Sequence, residues 1–150
     1  MQSILFVCLG NICRSPLADG IANKIAREHD LELHIDSAGT GEWHVGEAPC
    51  DNAIKIAAQN GIDISGLRAR TLHRHDPDTF THVVAMDRQN KKDLESLGYE
   101  NIYLIGDYGG YGGADVPDPY FFDGFSGFEK VYEMLDRTVR DFLKKEGLWS

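Results

Sequence analysis

Five residues separate Cys8 from Arg14 in "CLGNICRSP" (8–16), with Gly10 between them and Ser15-Pro16 directly after. The glycine permits a tight turn, and Ser-Pro is the usual opening of a helix, serine at the N-cap and proline at the first helical position. A loop running into a helix N-terminus leaves backbone N–H groups unpaired. Those donors, with the positive end of the helix dipole, form a cradle for an anion. Arg14 adds a planar fork that can hold two phosphate oxygens at once. The same field favours the thiolate of Cys8, and Ser15 can donate a hydrogen bond to it. A thiolate beneath a bound phosphate is a nucleophile with its target in place. A lone cysteine at the end of a buried strand is ordinarily a small core residue. The spacing, the arginine and the helix start together make Cys8 functional. No G-x-x-x-x-G-K-[ST] occurs, so the phosphate loop is not of the Walker kind.

The elements that must position this loop follow from hydrophobic periodicity. "SILFV" (3–7) reads as a buried strand, and Leu17, Ile21 and Ile25 give the next helix one apolar face. "LELHID" (31–36) alternates as a second strand, and a helix over 51–59, with Ile54, Ala57 and Ala58 inward, ends at Gly61. "THVVAM" (81–86) and "NIYLI" (101–105) are further strands flanking a polar helix at 87–98. The last helix starts at Ser126, with Ser126 and Glu129 as a capping box. Strands alternating with helices predict an α/β protein: one domain over 1–150, with an open parallel sheet of about four strands and helices on both faces. Ligands of such sheets bind beyond the carboxyl ends of the strands, which is where the Cys8–Arg14 loop falls.

Composition narrows the rest. A net charge of −9 excludes the basic footprint of a nucleic-acid binder, so any phosphate site is built locally. No stretch approaches the length of a membrane span, and "MQSILFVCLG" lacks the basic start of a signal peptide. The expected setting is the cytoplasm, with no membrane partner. Three cysteines are an odd number, which argues against a disulfide framework, and they form no zinc cage. His73, His75 and His82 read as polar loop residues, and no metal site is expected.

"VCLGNICRSP" (7–16), "DSAGTGEWHVGEAP" (36–49), "RAR" (68–70), "MDRQN" (86–90) and "PDPYF" (117–121) together resemble the low-molecular-weight protein tyrosine phosphatases, in order and over essentially the whole chain. The resemblance implies that Cys8 becomes a phosphocysteine. Arg14 and the loop amides of Leu9, Gly10, Asn11, Ile12 and Cys13 would bind the phosphoryl group and stabilise its transition state. Asn11 and Ser15 would hold the loop, with Ser37 supporting them. Asp118 would be general acid and then general base; read alone, "DPY" is an ordinary turn. Leu9, Ile12, Trp43, Tyr120 and Phe121 would rim the cleft and favour an aromatic phosphate ester. No cofactor is implied. The implied partners are tyrosine-phosphorylated proteins, among them a cognate tyrosine kinase, and the chain is expected as a monomer or weak homodimer. Cys13 would act as a resolving thiol that captures oxidised Cys8 as a disulfide.

The sequence departs from the resemblance in places. Cys50 and Asn52 stand where an arginine is common, and Leu67 where many members have a histidine that supports the loop. The stretch "GDYGGYGGADVPDP" (106–119), with five glycines before Asp118, reads either as a surface loop or as a flap carrying the acid. Two other functions remain at this stage. A thiol-linked arsenate reductase would share the anion loop, yet it needs two further cysteines, and 51–150 contain none. A redox-sensing anion-binding module would have no use for Asp118.

Overall fold

Strand β1 (Gln2–Cys8) is buried at every residue after Gln2, because both of its faces are covered. In the structure, a computed structural model that describes residues 1–118 and 125–150, Ile4, Phe6 and Cys8 join one apolar cluster and Leu5 and Val7 another. The first cluster holds α1 (Arg14–Glu28), α2 (Asp51–Gln59) and α5 (Ser126–Lys145) against the sheet. On the other face Leu94 of α4 (Arg88–Ser96) packs with Phe80, Val83 and Leu104.

The sheet runs β2 (Leu33–Gly39), β1, β3 (His82–Ala85), β4 (Ile102–Leu104), and every pairing is parallel. The chain leaves β1 to one side for β2, then crosses to the other side for β3. The carboxyl ends of β1 and β3 therefore flank the point where the winding reverses, the ordinary ligand crevice of such sheets. The open, four-stranded α/β architecture read from the sequence is the one observed.

Several local expectations differ. Ser15 was expected as the cap of α1; instead Cys13 is the N-cap, without a side-chain cap bond, and the Ser15 hydroxyl is engaged with the Cys8 sulfur and with Asn11. Phe125, not Ser126, occupies the N-cap of α5. On α2, Ala53, Ile56 and Ala57 are buried and Ile54 packs half-buried against the core as expected, whereas Ala58 is exposed. A short helix α3 (Asp76–Thr79), opened by Pro77, precedes β3. His82 is no loop residue: it sits in β3 against Tyr103 and Phe142, and burial pushes its pKa down.

Phe142 of α5 is fully buried and meets His82, Tyr103 and Tyr108 at centroid distances of 5.7, 5.6 and 5.1 Å, edge-on to each. It ties α5 to β3, β4 and the segment after β4. Phe142→Ala is expected to cost about 3–5 kcal/mol of stability in denaturant unfolding. A loss below about 1 kcal/mol would show that α5 is not held by this contact.

Candidate active site

The loop after β1 is organised around the Cys8 sulfur. Asn11 takes a left-handed backbone conformation, φ 56°, which asparagine tolerates better than most residues. That geometry points its backbone N–H at Cys8 Sγ, 3.2 Å away. Ser15 Oγ lies 3.0 Å from the same sulfur. The Asn11 side-chain amide donates to Ser15 Oγ at 2.9 Å, so the single hydroxyl proton of Ser15 is free to be donated to Cys8. Two donors thus converge on one buried sulfur, the arrangement that stabilises a thiolate.

Asn11 is itself held from outside the loop. Its Oδ1 accepts from the backbone N–H of Arg70 at 3.0 Å. The Arg70 guanidinium is in turn fixed by Asp36 and Asp76, both at 3.0 Å. The support expected of a histidine near position 67 is therefore supplied by the Arg70 backbone, while Leu67 packs against the core. Ser37 acts one step further back: its hydroxyl bonds the carboxylate of Asp19, one turn beyond Ser15 on α1.

Arg14 is 5% exposed, and its Nη1 donates to Asp87 Oδ2 at 2.7 Å and to the Val116 carbonyl at 3.0 Å. Both bonds use Nη1, which leaves Nη2 and Nε as the donors available to an anion. Asp87 is held in place as the N-cap of α4, where its Oδ1 accepts from Asn90 N at 2.7 Å. The backbone N–H groups of Gly10, Ile12 and Cys13 meet no acceptor among the described residues. They are the orphan donors that an anion would satisfy.

One pocket gathers Cys8, Leu9, Gly10, Ile12, Cys13 and Arg14 with Trp43, His44 and Asp118. Residues of the loop, of "GEWH" and of "PDP" thus meet in space as the sequence reading requires. Trp43 is 72% exposed at the mouth, and Gly41 has no side chain because a Cβ there would overlap its ring. Tyr120 and Phe121 lie outside the described residues.

Residues 3–147 match the sequence model of the low molecular weight phosphotyrosine protein phosphatases. The chain belongs to that family. A low molecular weight protein-tyrosine-phosphatase of Bacillus subtilis, YfkJ, is 41% identical over 150 residues, covering 95% of this chain and 94% of the relative. Among solved structures, a protein tyrosine phosphatase of Entamoeba histolytica superposes with a TM-score of 0.88 at 30% identity, over 98% of this chain and 99% of the other. A Drosophila arginine phosphatase does so equally well, with a TM-score of 0.88 and 30% identity over 97% of this chain and 98% of the other.

Three features of this family member were not read from the sequence. Cys13 was expected to keep its thiol for Cys8; instead it is disulfide-bonded to Cys50, and Cys8 is the free, buried cysteine. The reason is a tertiary contact, since Cys50 N donates to Ile12 O at 2.8 Å and brings the two Cα atoms to 5.7 Å. Asp87 was read only as part of "MDRQN" and of the polar helix at 87–98, and its grip on Arg14 spans 73 positions. His44 lies over Gly10 and bonds Glu47 through Nδ1 at 2.9 Å, and no spacing signals it.

The glycine-rich segment is tied down rather than free. Gly113 N bonds Gly106 O at 2.8 Å, Gly109 N bonds Asp141 of α5 at 2.7 Å, and Val116 N bonds Met86 O at 3.0 Å. The last of these places the Val116 carbonyl on Arg14 and brings Asp118 to the pocket.

Two predictions follow from this geometry. Asp87→Asn keeps the cap but weakens the hold on Arg14, and kcat/KM for an aryl phosphate is expected to fall roughly 10–100-fold with little change in melting temperature. Unchanged kinetics would mean that Arg14 is positioned without Asp87. Asp19 is 2% exposed, and desolvation, opposed by hydrogen bonds from Ser37 and Asn23, pushes its pKa from 3.8 to about 7. A carboxyl raised in the folded state costs stability as pH climbs from about 4 through 7. Asp19→Asn should therefore gain on the parent across that window, by on the order of a few kcal/mol, in denaturant titrations at its two ends. A difference that does not vary with pH would refute the assignment.

Proposed function

We propose that the protein hydrolyses phosphotyrosine and other aryl phosphates through a phosphocysteine intermediate. The observation that carries this is the convergence of Asn11 N–H and Ser15 O–H on Cys8 Sγ in a pocket that also contains Arg14 and Asp118. With the phosphoryl group seated on the loop amides and Arg14, Cys8 attacks phosphorus and the tyrosyl oxygen departs. Asp118 delivers the proton to that oxygen, then removes one from the water that opens the phosphocysteine. Charge on the transferring group is met by fixed donors, which need no reorganisation as it develops. Neither step is routed through a metal.

Leu9, Ile12 and Trp43 give the pocket apolar and aromatic walls, which suit the ring of phosphotyrosine. The likeness to an arginine phosphatase raises the alternative of a phosphorylated guanidinium. Such a group is polar around its whole edge; Asp118 and His44 are the side-chain acceptors the lining offers it, whereas Leu9, Ile12 and Trp43 suit a ring better than a row of N–H groups. Tyrosine-phosphorylated proteins, including a kinase, are the partners this reading implies. Its setting would be the cytoplasm, and no helix among the described residues is long and apolar enough to cross a membrane.

Hydrolysis of a phosphotyrosine peptide, with chelator present, is expected to vanish in Cys8→Ser. In Asp118→Asn the rate should fall about 10²–10⁴-fold. That loss should be smaller for an ester whose leaving group departs readily as an anion. A phosphoarginine peptide and arsenate with a thiol reductant are the comparison substrates. Faster turnover of either one, or an active Cys8→Ser protein, would overturn the proposal.

A further inference from the structure

The three cysteines are arranged from the inside of the molecule outward. Cys8 and Cys13 are 3% and 4% exposed and line the same pocket, whereas Cys50 is only half-buried and lines the adjoining groove. Ile12 and His44 are common walls of the two hollows. The hydrogen bond from Cys50 N to Ile12 O holds Cys50 beside the loop through the backbone, so its position does not depend on the state of its sulfur.

We infer that Cys50 is the terminal acceptor of a thiol–disulfide relay that returns Cys8 to its free form after oxidation, with Cys13 as the shuttle. The oxidant is a peroxide. Cys8 thiolate attacks one peroxide oxygen, giving the sulfenic acid and releasing the other oxygen as hydroxide or water. Cys13 thiolate then attacks the Cys8 sulfur; the S–O bond breaks, water leaves, and a Cys8–Cys13 disulfide forms. Finally Cys50 thiolate attacks the Cys13 sulfur and Cys8 departs as thiolate. Two electrons have passed from the Cys13 and Cys50 thiols to the peroxide, and Cys8 ends as it began.

The direction of the last step follows from the loop. Exchange favours expulsion of the sulfur whose thiolate is better stabilised. Cys8 accepts hydrogen bonds from Asn11 N–H and Ser15 O–H, so it is the better leaving group and Cys13 is the sulfur attacked. The product is the state observed: Cys13 bonded to Cys50, and Cys8 free. The half-buried Cys50 is then the sulfur that a reductant in solution reaches first. Until that reduction occurs, Cys8 has no resolving partner, so a second oxidation passes on to sulfinic acid.

The test starts from fully reduced protein freed of thiol and treated with equimolar hydrogen peroxide, sampled over time by alkylation and non-reducing peptide mapping. The parent is expected to pass through Cys8–Cys13 to Cys13–Cys50 with Cys8 alkylatable at the end, and to keep most of its aryl phosphatase activity. Cys50→Ser should stop at Cys8–Cys13 and lose its own starting activity until a dithiol is added. Cys8–Cys13 as the parent's end product would overturn the relay, as would equal inactivation of parent and variant. So would direct passage of Cys8 to sulfinic acid in Cys50→Ser, because it would remove Cys13 as the shuttle. The activity arm rests on the function proposed above, whereas the mapping arm does not: a parent inactive before treatment would sink that function and leave the relay to be decided by the peptides.

Discussion

A sulfur at the end of a fully buried strand is out of reach of water, so its hydrogen-bond partners must come from the protein. In this chain the donors are the backbone N–H of Asn11 and the hydroxyl of Ser15, and much of the surrounding structure exists to keep them aimed. The left-handed turn at Asn11 is unfavourable by itself. It persists because three bonds hold the residue, to Cys8, to Ser15 and from Arg70. Arg70 is in turn locked by carboxylates from the middle of β2 and from α3. The shape of the loop is therefore supported from β2 and α3 as well as from within.

What the sequence displayed and what it hid divide along contact distance. Cys8, Asn11, Arg14 and Ser15 fall within eight consecutive positions, so their joint chemistry was legible as spacing. Even there one detail misled. Ser15 before Pro16 looks like a helix cap, and only the fold reveals that its hydroxyl serves the sulfur instead of the helix. The strands and their order of appearance were legible because each apolar run is bounded by polar or glycine residues. The residues that hold the loop were not. Asp87, Arg70 and Cys50 reach it across 73, 59 and 37 positions, and a single sequence carries no signal for a pair so far apart. Asp118 sat between these cases, since its tripeptide is an ordinary turn and only resemblance gave it a role.

The glycine-rich segment shows why composition alone misjudges a loop. Five glycines suggest freedom, yet Gly106 is needed because a Cβ there would overlap Ala114, and Gly109 adopts φ 71° to reach Asp141. These glycines permit a tight, hydrogen-bonded path. That path ends with Val116 bonded on one side to Met86 and on the other to Arg14, two residues before the acid. Arg14 and Asp118 are thus reached by one strap of backbone.

Electrostatic economy explains how an acidic protein can hold a phosphate at all. With a net charge of −9 the molecule as a whole does not draw in a phosphate, and among the described residues of the pocket the one arginine is already paired with Asp87. The short, oriented contacts on which the proposed function relies are the N–H groups of Gly10, Ile12 and Cys13 and the Nε and Nη2 of Arg14, which meet no acceptor among the described residues. Such contacts strengthen as charge spreads over the transferring phosphoryl oxygens, and they hold the ground state only moderately. A site with several unpaired arginines would grip inorganic phosphate and release it slowly. Pairing Arg14 with Asp87 fixes the fork in place and at the same time tempers its charge.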